Sequence, residues 1–197
     1  MRNRYIYKGC EDMIINFIRH GKTVGNLEKR YIGRTDELLC TEGTEEIKNN
    51  KYPSCDIVIS SPMKRCIQTA DIIYPDKDFI ICDDLRECDF GDFEGKNYIE
   101  LSENPDYQKW IDSNGTDTFP NGENPYDFRK RCTEIFLKAV RRYSNKNLTF
   151  VVHGGTIMSV MEKFALPKRD YYGWQVKNGH GFVTEYSDGK ITILEEI

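Results

Sequence analysis

In Arg19-His20-Gly21 and His153-Gly154-Gly155, two of the three His-Gly pairs of this 197-residue sequence, an imidazole stands directly before glycine at the end of an apolar run. An arginine is permanently charged, whereas an unperturbed imidazole, with a pKa of about 6.5, is largely neutral near pH 7. A neutral nitrogen nucleophile beside a cation suits attack on an anion such as a phosphate ester. Glycine lets the backbone turn and a ligand come close. Arg65 follows Ser60-Ser61-Pro62, and six carboxylates crowd one later stretch: Asp83, Asp84, Glu87, Asp89, Asp92 and Glu94. The chemistry these residues allow follows from charge. His20 attacks phosphorus and becomes a phosphohistidine. Arg19, Arg65 and His153 hold the phosphoryl oxygens, where transition-state charge is spread. A carboxylic acid protonates the leaving alkoxide and then, as carboxylate, activates water. Position alone leaves open which of the six acts. Arginines do the neutralising, so neither metal nor cofactor is expected.

The elements that position these groups can be read from hydropathy. Residues 13–19 form an Ile-rich apolar run that predicts a buried strand, and residues 147–153 form another; both end in His-Gly. Residues 55–60 and 79–82 predict two further short strands, the latter at an edge. Parallel strands release ligand-binding residues at their carboxyl ends, so these points should converge on one crevice. Thr41 opens a helix as its cap, with an acidic first turn. Pro62 suits a first helical turn, setting Arg65 one turn inside a helix whose N-terminus favours anions. Phe128, Cys132, Ile135, Phe136, Ala139, Val140 and Tyr143 line one face of a long helix that starts near residue 121. A helix over 157–166 follows His153. Residues 181–186 and 190–194 predict a hairpin about Asp188-Gly189. His180 is expected to be structural. Residues 97–122, with short helical stretches at 98–102 and 107–111, read as an inserted cap. Its aromatics Tyr98, Tyr107, Trp110 and Phe119 are expected to form the cap's own core rather than a stacking surface for substrate.

Length fits one domain spanning 1–197. Net charge is −4, so the basic field of a nucleic-acid binder is absent. No run approaches the roughly 20 apolar residues of a membrane span. The basic stretch 1–8 lacks the apolar segment of a signal peptide, so a cytoplasmic location is expected. The seven cysteines (10, 40, 55, 66, 82, 88 and 132) include no Cys-x-x-Cys pair, and with three histidines they predict free thiols rather than a zinc site. The expected partner is a small phosphate ester.

Taken together, Phe17-Ile18-Arg19-His20-Gly21-Lys22-Thr23, with Asn26, Arg30, Gly33 and Asp36 behind it, resembles the hallmark of the histidine phosphatase (phosphoglycerate mutase-like) superfamily. Ser60-Ser61-Pro62, Arg65 and Gln68-Thr69-Ala70 are similar to its second motif. Leu85-Arg86-Glu87, Phe90-Gly91, Phe93-Glu94-Gly95 and Val152-His153-Gly154-Gly155 continue the resemblance in order. Leu38-Leu39, where the family often has a proline, and Gly43 directly after Glu42 depart from the pattern, away from the chemistry. The resemblance implies a three-layer α/β/α sandwich with a mostly parallel sheet and an antiparallel C-terminal strand. It implies His20 as nucleophile, Glu87 as proton donor and acceptor, and Arg19, Arg65, His153, Asn26, Gly33 and Gly154 around the phosphoryl group. Glu87-Cys88-Asp89-Phe90-Gly91 is similar to phosphatase members, the α-ribazole phosphatases among them, which implies a metal-independent phosphomonoesterase. The alternatives are a cofactor-dependent phosphoglycerate mutase and a silent binding protein on the same fold.

Overall fold

Alternation along the first strand sets the layers. The computed structural model describes residues 12–197, and the basic stretch 1–8 and Cys10 lie outside them. On β1 (Met13–Arg19), Met13, Ile15 and Phe17 point into one apolar cluster and Ile18 into another. Successive strand residues face opposite sides of a sheet, so β1 is covered on both. The first cluster takes Phe136 from α5 (Pro125–Arg142) and Ile157 from α6 (Gly154–Phe164). The second takes Cys66 and Ala70 from α3 (Lys64–Ile73). Helices therefore sit on either side of the sheet, giving three layers.

The sheet order is β3 (Phe79–Ile81), β2 (Ile57–Ser60), β4 (Leu148–Val152), β1, β6 (Gly181–Ser187), β7 (Lys190–Glu196), β5 (Ala165–Leu166). The first four strands are mutually parallel, and β6 is antiparallel to both β1 and β7. The turn joining β6 and β7 is Asp188-Gly189, with φ of 50° and 78°. Positive φ at both central residues is what a tight hairpin turn of this hand requires. The register of the central pair matters most: Phe17 lies opposite Phe150, and Arg19 opposite Val152. The residues released next, His20 and His153, therefore leave the sheet side by side.

Several local expectations change. The α2 helix (Thr41–Asn49) is capped by Cys40, whose sulfur accepts from the Gly43 N–H, and Thr41 is its first residue. Pro62 precedes α3, whose cap is Met63, so Arg65 is the second helical residue rather than one turn inside. The α6 helix begins at Gly154, because its first N–H groups are needed beside the sheet, and its end becomes the short edge strand β5. Residues 98–103 form turns rather than a helix, while α4 (Pro105–Asp112) is helical, capped by Asn104. The long helix keeps its predicted face: Phe128, Cys132, Phe136, Ala139 and Val140 are buried. The 3-10 turn Tyr171–Trp174 was not anticipated. Among the described residues no helix is long and apolar enough to cross a membrane, and the six described cysteines are free thiols.

Candidate active site

The two strand-end imidazoles lie with ring centroids 5.2 Å apart in an edge-on arrangement. The His20 N–H bonds to the Val152 carbonyl at 2.9 Å and so ties one strand end to the other. The His20 Nδ1 is 2.7 Å from the Gly21 carbonyl. A carbonyl only accepts, so Nδ1 carries the proton and Nε2 keeps its lone pair. Burial, then the charges of Arg65 and Arg19, push the His20 imidazole well below its ordinary pKa, and the ring is neutral at pH 7. His153 is driven the same way, by burial first and then by Arg65, His20 and Arg19. Its Nε2 pairs with Ser61 Oγ at 2.8 Å. That serine belongs to the Ser60-Ser61-Pro62 segment.

Arg19 and Arg65 are held differently. Arg19 Nη1 donates to the Val176 carbonyl at 2.8 Å. Arg65 is fully buried, donating through Nη1 to Thr35 and through Nη2 to Gly33 and Ile32, all backbone carbonyls. In both residues Nε is buried without an acceptor, and these are two of the three such side-chain donors found among the described residues. A buried donor left unpaired costs about 1–3 kcal/mol, more when charged. Two such donors near one imidazole mark a place where an anion belongs.

Glu87 is buried at the neighbouring wall. Oε1 accepts from the Cys88 N–H at 3.0 Å and Oε2 from the Gly155 N–H at 3.2 Å. Burial raises its pKa, and those two bonds together with Arg65 and Arg19 oppose the rise without cancelling it. A rise of this direction is what a carboxyl that must donate a proton requires. None of the other five carboxylates of its stretch lines the cavity above these groups. Asp83 pairs with Arg86, Asp92 takes the Asn121 amide, and Glu94 accepts from the N–H groups of Gly33 and Arg34 and from the Thr35 hydroxyl.

A cavity of about 280 Å³ opens over this floor, its wall including Arg19, His20, Asn26, Glu87, Gly154 and Gly155. Asn26 is fixed there by a reciprocal cap with Thr23 and by Asn178, whose amide donates both to Asn26 Oδ1 at 3.0 Å and to the His20 carbonyl at 3.1 Å. Of the expected site residues, Arg65 and His153 lie behind the wall, fully buried beneath His20. Gly33 is the correction. It does not face the cavity; its carbonyl holds Arg65 and its N–H is taken by Glu94, so it supports the site from outside. His180 is structural, with Nδ1 2.8 Å from the Ile197 carbonyl. Beyond the floor, Tyr31, Phe90, Trp110 and Phe119 line the cavity and also pack edge-on against one another. Tyr107 and Phe119 are buried as expected of a cap core, whereas Tyr98 is exposed and does not join it.

Residues that sequence reasoning missed come from far along the chain. Gly155 donates to Glu87, Val176 accepts from Arg19, and Asn178 braces His20. Only Gly155 carried a signal, as the second glycine of His153-Gly154-Gly155.

Known proteins resemble the chain in sequence and in fold. The uncharacterized phosphatase PhoE of Bacillus subtilis (strain 168) is 30% identical over 154 residues, covering 75% of each chain. Phosphoglycerate mutase-like protein 4 of Arabidopsis thaliana is 32% identical over 157 residues, covering 74% of this chain and 68% of the relative. The crystal structure of the α-ribazole phosphatase from Shigella flexneri superposes with a TM-score of 0.79 at 24% identity, over 92% of this chain and 94% of that one, a likeness of fold. The sequence pattern of the histidine phosphatase superfamily (branch 1) matches residues 15–196. The chain belongs to the histidine phosphatase superfamily, branch 1.

Proposed function

We propose that this protein is a phosphomonoester hydrolase that works through a phosphohistidine on His20. The observation that carries the reading is the unpaired Nε of Arg19 and of Arg65 beside an imidazole whose Nδ1 is locked on Gly21. A phosphoryl oxygen supplies the acceptors those donors lack, and charge-assisted bonds of this kind are each worth about 1.5–3 kcal/mol.

The steps follow. The lone pair of His20 Nε2 attacks phosphorus while the bond to the ester oxygen breaks. That oxygen leaves with the bonding pair and takes the proton of Glu87. Arg19 binds the phosphoryl oxygens from the cavity wall, with Asn26 and the Gly154 N–H assisting, and Arg65 and His153 complete the set from behind His20. Water then attacks phosphorus, Glu87 as carboxylate accepts its proton, and the P–N bond breaks to return the pair to His20. The neutralising charge is supplied by the arginines.

Hydrolysis is favoured over mutase turnover by the far part of the cavity. A mutase must also grip a second anionic group. The two further arginines on the wall are already engaged: Arg30 by Glu28 and Glu100, Arg129 by Glu162 and by stacking on Tyr171 at 3.8 Å. The substrate is a small phosphate ester, with α-ribazole 5'-phosphate a candidate through the phosphatase relatives. The test is trapping. Brief reaction with a labelled phosphoester should leave acid-labile, alkali-stable label on His20, unaffected by chelator. Full phosphatase activity in His20→Ala would refute the mechanism.

A further inference from the structure

Arg131 lies on α5, outside the cavity wall, and the sequence reading assigned it no role. Its guanidinium has five N–H groups, and each meets an acceptor. Nε and Nη2 grip the Glu123 carboxylate at 2.7 and 2.8 Å. Nη1 reaches the carbonyls of Asp84 and Arg86 at 2.7 and 2.8 Å, and Nη2 the carbonyl of Glu87 itself at 3.1 Å. Glu123 closes the clamp on the other side: its backbone N–H donates to the Asp89 carbonyl at 2.9 Å, and Oε2 accepts from the Asp89 N–H at 3.3 Å. The two side chains are only 21% and 17% exposed.

The clamped segment needs support. Residues 86–90 belong to no helix or strand, so no ladder of backbone bonds fixes Glu87. A planar fork held by a bidentate carboxylate has a defined orientation, and it presents donors at fixed angles to three carbonyls. A lysine has three donors on a flexible stem and cannot reproduce this.

We infer that Arg131 is a positioning residue for the proposed general acid, holding the backbone of Glu87 so that its carboxyl meets the Gly155 N–H and faces the leaving oxygen. This role rests on the assignment of Glu87 above. A displacement near 1 Å is enough to cost roughly 100-fold in a reaction that depends on such alignment.

The experiment measures kcat/KM of the full chain with an alkyl phosphate, whose leaving group requires a proton, and with p-nitrophenyl phosphate, whose leaving group does not. Arg131→Lys should lose at least ten-fold more on the alkyl ester than on the aryl ester, and Glu87→Gln should show the same discrimination. The double variant should be no worse than Glu87→Gln alone, because both act through one carboxyl. Should Arg131→Lys unfold, Glu123→Gln loosens the same fork from the other side and should discriminate to a smaller degree. Equal losses on both esters in the Arg131 and Glu123 variants, with Glu87→Gln discriminating, would overturn the role of Arg131 alone. Equal losses in Glu87→Gln would overturn the acid assignment and this role with it.

Discussion

Gly155→Ala should disable the acid with little damage to the fold. A β-carbon built at Gly155 falls 2.4 Å from Glu87 Oε1 and 2.8 Å from the Phe128 ring. An ordinary carbon–oxygen approach is about 3.3 Å, so the carboxyl must retreat by about 0.9 Å. The Phe128 ring crowds the same carbon. A retreat of that size breaks the 3.2 Å bond from the Gly155 N–H and carries the acid away from the leaving oxygen. The expected cost is on the order of 100-fold in kcat/KM for an alkyl phosphate. For p-nitrophenyl phosphate, where no proton is required, it should be under ten-fold. Stability moves less. Alanine gains about 0.8–1 kcal/mol of helix propensity over glycine, and overpacking costs about 1–3 kcal/mol. The melting temperature should therefore fall by only a few degrees. Steady-state kinetics on both esters, beside a thermal melt, decide the matter. A Gly155→Ala enzyme that keeps the wild-type ratio of the two kcat/KM values would refute the placement of Glu87 as acid.

Two further outcomes follow from buried charge. His20 and His153 are held neutral below their ordinary value of 6.5, so the unfolded chain binds more protons than the folded one as the pH falls below 6.5. Each should cost about 1.4 kcal/mol of stability per pH unit across that window. Glu87 works the other way, since its raised pKa means the folded state holds the extra proton above 4.5. Urea melts should thus show stability falling by about 1–3 kcal/mol per unit from pH 6.5 downward, less steeply in His20→Asn; a flat profile between pH 7.5 and 5.5 would contradict neutral burial. Inorganic phosphate, the proposed product, should satisfy the unpaired Nε atoms of Arg19 and Arg65. At a hundred times Kd it should stabilise by about 2.7 kcal/mol, read as a rise of roughly 5–10 °C. Chloride at equal ionic strength should not do this, and a phosphate-induced shift that survives in Arg65→Lys would place the anion elsewhere.

Six of the seven strands, the long helix and the residue types that could do chemistry are legible in the sequence, while the residues of β5 read as the end of a helix. Those features are local: an apolar run with a glycine after it reads as a strand and a turn wherever it occurs, and the face carrying Phe128, Cys132 and Phe136 follows from helical spacing alone. The resemblance to a family then singled out Glu87 from six carboxylates that position could not separate. The partner of each charge emerges only once the chain is folded. Gly33 looks like a ligand residue in the sequence, yet its carbonyl holds Arg65 from outside the cavity. Asn178 lies 158 positions from His20 and still donates to its carbonyl. The start of α2 turned on Cys40 rather than Thr41, because the sulfur happened to reach the Gly43 N–H. Hydrogen bonds and burial depend on distances closed by the whole sheet, and β1 and β4 meet in one register out of several that their apolar runs allow. That register sets two histidines side by side, and the low dielectric around them fixes their protonation.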